Sequence, residues 1–167
     1  MIDREHSDRF RGMASARLPV RLFGLADGLL YSEVSGAFPN RTGESTMALL
    51  DATPDASLAD AGPWMFDCER IDSDTQAALA RLAQSEYGVS WIVSAYQVRQ
   101  LASELRQRLD ATLPDGRSAM LRYYDARVMR YLAPALGSSE GTMFFSPTFD
   151  WLIEIDGKLS RAHPHAA

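Results

Sequence analysis

Residues 88–109 read Gly88-Val89-Ser90-Trp91-Ile92-Val93-Ser94-Ala95-Tyr96-Gln97 and then Val98-Arg99-Gln100-Leu101-Ala102-Ser103-Glu104-Leu105-Arg106-Gln107-Arg108-Leu109. The first half is rich in β-branched and aromatic residues, which suits a buried central strand. The second half changes period. Val98, Leu101, Leu105 and Leu109 recur at intervals of three and four, with Arg99, Glu104, Arg106 and Arg108 mostly elsewhere on the wheel, so it predicts a one-sided helix packed on the sheet. Ser94, three residues before Gln97, has the spacing of a capping box and is expected to start that helix.

The same alternation extends outward. Met47-Ala48-Leu49-Leu50, ending in Asp51, predicts a short buried strand, and Trp64-Met65-Phe66 predicts another. Ser73 with Gln76 is a second capping-box spacing, opening a helix that carries Ala78, Leu79 and Leu82 and ends before Gly88. Leu113-Pro114-Asp115-Gly116 predicts a hairpin turn, in which Gly accepts a positive φ, followed by a strand over 118–124. Asp125 is placed to cap a helix through Val128, Met129 and Leu132 that Pro134 and Gly137 end. Thr142–Phe145 and Phe149–Ile155 predict two more strands, closed by Asp156-Gly157. The expected fold is α/β: a single domain with a mixed β-sheet and helices packed against it. It divides into an N-terminal arm and Gly-rich lead-in over 1–45, a core over 46–156 and a flexible tail over 157–167.

Composition narrows the function classes. The chain has 167 residues, 46% of them hydrophobic, enough to bury a core without a disulfide or metal staple. Its formal charge is −5, with 17 Lys and Arg against 22 Asp and Glu, so no whole-chain field would gather nucleic acid or anionic lipid. Cys68 is the one cysteine, which excludes an intramolecular disulfide and fits a reducing compartment. Met1–Arg17 is dense in charge rather than apolar, and no stretch is long and apolar enough to span a bilayer, so a cytoplasmic location without membrane insertion is expected.

Groups suited to catalysis are sparse. Ser94 lies at a strand-to-helix junction but lacks the flanking glycines of a nucleophile elbow. His6, His163 and His165 lie near the ends, and His163-Pro164-His165 reads as a tail rather than a metal site. Asp67 and Glu69 flank Cys68 and would raise its pKa. Asp51, Asp55, Asp60, Asp67, Asp72 and Asp74 match no calcium-loop spacing, and no phosphate-cradling glycine motif occurs. No cofactor, metal or catalytic residue is expected, and a small hydrolase using Ser94 ranks behind a binding protein. One segment concentrates interface chemistry: Arg117-Ser118-Ala119-Met120-Leu121-Arg122-Tyr123-Tyr124-Asp125-Ala126-Arg127, in which arginine and tyrosine recur as they do in interface hot spots. Alternatively, Arg122 pairs with Asp125 and simply covers the sheet's edge.

At this segment the sequence resembles domain-of-unknown-function family 4123, whose members act as adaptors or chaperones for type VI secretion effectors. The matching residues are Leu113-Pro114-Asp115-Gly116-Arg117, then Leu121-Arg122-Tyr123-Tyr124-Asp125-Ala126-Arg127-Val128, with Ala126 where the family usually has proline. Leu49-Leu50-Asp51, Gly88-Val89-Ser90-Trp91 to Ser94, the helix from Val98 to Leu109, and Phe144-Phe145-Ser146-Pro147 to Trp151 extend the resemblance over about 47–152. It implies a non-enzymatic bacterial protein that holds a secreted effector toxin in the cytosol and delivers it to the spike protein of the secretion apparatus. It also implies an exposed apolar groove rimmed by charge, with Arg122, Tyr124, Asp125 and Arg127 at the rim and Phe144 and Phe145 supplying apolar surface. On that basis Arg122→Glu or Asp125→Arg is expected to weaken client capture without altering thermal unfolding. A structural subunit with a self-association interface is the alternative.

Overall fold

The computed structural model describes residues 19–41 and 43–163. Arg21–Asp27 forms β1 and leads directly into helix α1 (Gly28–Ser35). A short strand β2 (Thr46–Ala48) and β3 (Pro63–Asp67) precede α2 (Ser73–Ala83). The segment that decides the fold becomes β4 (Val89–Ser94) and α3 (Val98–Arg106). A hairpin, β5 (Asp110–Thr112) and β6 (Ser118–Met120), is followed by α4 (Ala126–Ala135), α5 (Ser138–Phe145), β7 (Asp150–Ile155) and β8 (Lys158–Arg161).

Among the described residues six strands make one sheet in the order β2-β3-β1-β4-β7-β8, while β5 and β6 pair only with each other. The architecture is the single α/β domain that the alternation of elements predicts. Its strand direction is more uniform than that order suggests, since all five pairings in the large sheet are antiparallel.

Residues opposite one another on paired strands share a face. Phe66, Gly24, Trp91 and Leu152 therefore line one face. There Tyr31 of α1 stacks on Phe66 at 5.3 Å, and a Cβ on Gly24 would stand 3.2 Å from Leu79 of α2. Phe23, Ile92 and Trp151 line the opposite face, where Trp151 meets Tyr123, Phe144 and Phe145 at ring distances of 6.0, 6.0 and 5.6 Å. Helices cover both faces, which is why every residue of β3 and β4 is buried.

Several local expectations are corrected. The core does not begin at 46: β1 is a central strand, between β3 and β4. Residues 158–161 are strand β8 rather than tail, reached through a turn whose two residues, Asp156 and Gly157, both have positive φ (52° and 67°). Residues 1–18 of the expected arm, including His6, and residues 164–167 of the expected tail, including His165, lie outside the described residues. Thr142–Phe145 is helical, because the Glu140 carboxylate accepts the Gly137 amide at 3.1 Å and the Thr142 hydroxyl bonds back to the Ser138 carbonyl at 2.7 Å.

Helix starts also differ from the capping-box reading. Asp72, not Ser73, caps α2, its carboxylate accepting the Thr75 amide at 2.7 Å, so one orphan donor is satisfied one residue earlier. Gln97 rather than Ser94 precedes α3. The strand after the Gly116 turn stops at Met120, because 121–125 turn inward toward the helices.

Candidate functional site

The turn at 121–125 sorts its side chains by chemistry. The Leu121 amide donates to the Leu109 carbonyl at 2.6 Å and the Asp125 amide to the Arg122 carbonyl at 3.1 Å, which fixes the turn between α3 and α4. Tyr123 points into the core, its hydroxyl donating to the Leu105 carbonyl at 2.6 Å. Burial raises the pKa of both Tyr123 and Tyr124 above the ordinary tyrosine value, so each stays a neutral donor. Arg122 points outward, its side chain 52% exposed.

Two buried carboxylates hold this surface. Asp27 ends β1 and caps α1, accepting the Leu29 amide at 2.9 Å and the Leu30 amide at 3.2 Å. Its other oxygen takes Arg122 Nη2 at 2.7 Å. Asp125 caps α4 through the Arg127 amide at 2.9 Å and also accepts Arg127 Nε and Nη2 at 3.1 and 2.9 Å. Arg122 lies a further 3.8 Å from Asp125. The chain of charges therefore runs Arg127–Asp125–Arg122–Asp27, with both acids inside and both guanidiniums reaching solvent. Each arginine is held further above its ordinary pKa, Arg122 by its hydrogen bond to Asp27 and Arg127 by its own to Asp125.

The arginines also cover aromatic rings. Arg122 stands 5.8 Å over Tyr124 and Arg127 stands 5.2 Å over Tyr87. Of the expected rim residues, Arg122 and Arg127 reach the surface, whereas Tyr124 and Asp125 are buried beneath them. Arg122 pairs chiefly with Asp27 rather than with Asp125, and its guanidinium reaches solvent.

The expected apolar pair is corrected. Phe144 and Phe145 are 8% and 2% exposed, because the helix containing them turns both rings onto Trp151. They form core, not a contact surface. Arg108 secures that helix by donating to the Phe144 carbonyl at 2.7 Å and to the Met143 carbonyl and Ser146 hydroxyl at 3.1 Å. The apolar side chains that do reach solvent nearby are Tyr131 on α4, 72% exposed, and Met143 on α5, 70% exposed.

Ser94 is buried at the end of β4. Its hydroxyl donates to the Pro147 carbonyl at 2.6 Å and accepts the Tyr96 amide at 3.1 Å, so it joins β4 to the loop before β7. A hydroxyl committed to a carbonyl is held by a group that cannot take its proton, unlike an activated nucleophile. Ser94→Ala is expected to cost about 1–2 kcal/mol of stability, read by denaturant unfolding, by leaving the buried Pro147 carbonyl and the part-buried Tyr96 amide unmet. An unchanged unfolding midpoint would show that this tie is dispensable.

Cys68 is buried as well, and burial first, then the adjacent Asp67 charge, pushes its thiol up from the ordinary 9 to about 12. In the unfolded chain the thiol ionises near its ordinary value while the folded one keeps its proton. The stability this contributes is therefore complete below about pH 9 and lost as pH rises toward about 12. Native protein at pH 8 is expected to resist iodoacetamide, and Cys68→Ala should show a shallower stability loss between those pH values. Rapid native alkylation would contradict the burial.

Of the six aspartates singled out in the sequence, Asp72 accepts the Thr75 amide at 2.7 Å and Asp67 the Glu69 amide at 3.1 Å. Arg41 joins Asp51 at 2.5 Å to Asp60 at 2.7 Å and lies 5.6 Å over the Trp64 ring. No group of three or more metal-capable side chains occurs among the described residues. His163 lines a cavity of about 470 Å³ at the elbow between α4 and α5, with its ring 5.2 Å from Phe145. No helix among the described residues is long and apolar enough to cross a membrane.

Asp27 is the residue that sequence reasoning missed. The local signal was present, an Asp-Gly step before Leu29-Leu30 at helix-cap spacing, but its partner Arg122 lies 95 residues away. Comparison with known proteins adds one finding: the family model DUF4123, described as a domain of unknown function, matches residues 22–142. No curated protein and no solved structure matches.

Proposed function

Because the chain belongs to the DUF4123 family, we propose that it is an adaptor that binds a type VI secretion effector in the bacterial cytosol and loads it onto the spike protein of the secretion apparatus. The observation that carries this reading is that the matched region includes the Arg122–Arg127 turn. There, two buried aspartates fix two arginines with their guanidiniums outward over tyrosine rings.

A surface of this kind suits recognition. An arginine already ordered by an internal carboxylate loses little side-chain freedom when a partner arrives, and its remaining N–H groups stay available. The role is binding rather than catalysis, and the Ser94 hydroxyl in this reading is a structural tie. No cofactor enters it, and neither nucleic acid nor membrane insertion does.

The test is capture from the native host. Tagged full-length chain, isolated at moderate salt from cells shown to express the secretion system, is expected to elute with one large toxin-like chain identified by mass, with or without the spike protein. Elution of the chain alone would overturn the reading.

A further inference from the structure

The two edges of the six-stranded sheet differ. At one end β2 is three residues long, Thr46 and Ala48 are buried, and the Thr46 hydroxyl donates to the Asn40 carbonyl at 2.5 Å, so that edge is tied to the loop before it. At the other end β8 is exposed at Lys158, Ser160 and Arg161. The Ala162 amide donates to the Trp151 carbonyl at 2.8 Å, which fixes the alternation of the β7–β8 ladder. Lys158, Ser160 and Ala162 turn their backbone groups to β7, and Leu159 and Arg161 turn theirs away. Among the described residues no protein group pairs with the backbone N–H and C=O of Leu159 and Arg161. Beside this edge lies a depression of about 450 Å³, lined by Arg130, Ala133 and Pro134 of α4 and by Ile153, Ser160 and His163.

Charge narrows what can cover it. Strand β8 reads Lys-Leu-Ser-Arg, two cations and no acid, in a chain whose formal charge is −5. The acids nearby are committed: Asp150 accepts two nitrogens of Arg161 at 2.7 and 2.6 Å, and Glu154 accepts the Trp91 indole N–H at 2.7 Å. Asp156 stands in the turn beyond Lys158. Lys158 and Arg130 make no ion pair among the described residues. Lys158 lies two residues from Ser160, hence on the face of β8 that borders the depression, where Arg130 also stands. Cations on an open edge deter a second copy, which would bring the same cations, and favour a strand that carries carboxylates. The β5–β6 hairpin has open edges too, but its strands, Asp-Ala-Thr and Ser-Ala-Met, carry no cation.

We propose that β8 is the docking edge for an extended acidic segment of the effector, which adds to the sheet as a further strand. It pairs with the backbone of Leu159 and Arg161 and sets carboxylates, at alternate positions, beside Lys158 and Arg130. The assignment rests on the adaptor reading and names the chemistry of the segment recognised. Unpaired backbone groups at strand spacing are matched by another strand, so main-chain bonds supply affinity and the alternate side chains supply selectivity.

Two measurements test this. In the first, tagged full-length chain in complex with the effector it captures, identified by mass, is compared with the chain alone by amide hydrogen exchange resolved to single residues. Exchange at Leu159 and Arg161 is expected to slow about tenfold or more in the complex, whereas Ser160, already bonded to β7, changes little. Unchanged exchange at those two amides overturns the assignment and leaves the adaptor reading standing. Slowing in the chain alone as its concentration rises would put a second copy on the edge and overturns it as well. In the second, capture is repeated with the double variant Lys158→Glu, Arg130→Glu and with Lys158→Arg, Arg130→Lys, each confirmed folded by thermal unfolding. The charge-reversed variant is expected to capture roughly tenfold less effector at low salt, and the charge-conserving one to match the parent. Undiminished capture by the first, or equal loss in both, overturns the acidic segment. Failure of the unmodified chain to capture any effector overturns the adaptor reading, and with it this assignment.

Discussion

Asp125→Arg is expected to lower the melting temperature by roughly 10 °C, read by circular dichroism, rather than to alter client capture alone. Asp125 is 4% exposed and does three things at once: it caps α4, it accepts two nitrogens of Arg127, and it faces Arg122. An arginine there would remove the cap and place a third guanidinium beside the other two with no carboxylate between them. Leaving an uncompensated charge at so buried a position costs about 3–5 kcal/mol. A melting temperature within about 3 °C of the parent would show that Asp125 does not hold the turn.

Arg122 behaves differently because half its side chain is already in water. Arg122→Ala is expected to move the melting temperature by no more than about 3 °C, since an exposed ion-pair partner contributes little and Asp27 retains both helix-cap amides. The expectation that both substitutions would leave folding unchanged therefore divides. At Arg122 it is kept only for truncation to alanine, since Arg122→Glu would set a carboxylate beside buried Asp27 and Asp125, and it is withdrawn for Asp125, whose burial the sequence did not disclose. Substitutions meant to probe recognition should be made at the guanidiniums, with the aspartates left in place.

What could be read from the sequence follows from how local the deciding interactions are. The strand at 89–94 and the helix at 98–106 were legible because their periods arise from burial of one or both faces, a pattern carried by adjacent residues. The central strand β1 was not, because Gly24 interrupts its apolar run; the reason for that glycine is Leu79 and Trp91 lying above it, from elements far along the chain. Strand β8 is polar because it pairs on one side only, so its composition resembles a tail. At 142–145 the aromatic preference for strands was outweighed by a single carboxylate, Glu140, at the helix start. The candidate site was half legible: the arginines and tyrosines stood out as a group, but which of them face water was decided by Asp27 and by the turn at 121–125.

The joint that positions Asp27 supplies the other large expected effect. Gly28 follows Asp27 at the first position of α1, its amide donating to the Gly62 carbonyl at 2.7 Å. A Cβ there would lie 2.0 Å from the Asp60 carbonyl oxygen and 2.7 Å from the Trp64 ring. Neither neighbour can yield cheaply. That carbonyl accepts the Trp64 indole N–H at 3.1 Å, and the Asp60 side chain is held by Arg41. Gly28→Ala is therefore expected to cost about 3 kcal/mol or more and to lower the melting temperature by roughly 10 °C, because backbone must move in a closely packed joint. Gly36→Ala is the matched control. Its φ is +84° but nothing lies within 4 Å of the added methyl, so only the left-handed backbone is penalised, about 1 kcal/mol. Equal losses at the two glycines would mean that backbone conformation rather than crowding governs the joint. A much larger loss at Gly28, accompanied by weaker capture than Gly36→Ala shows at the same temperature, would tie the seat of Asp27 to the presentation of Arg122.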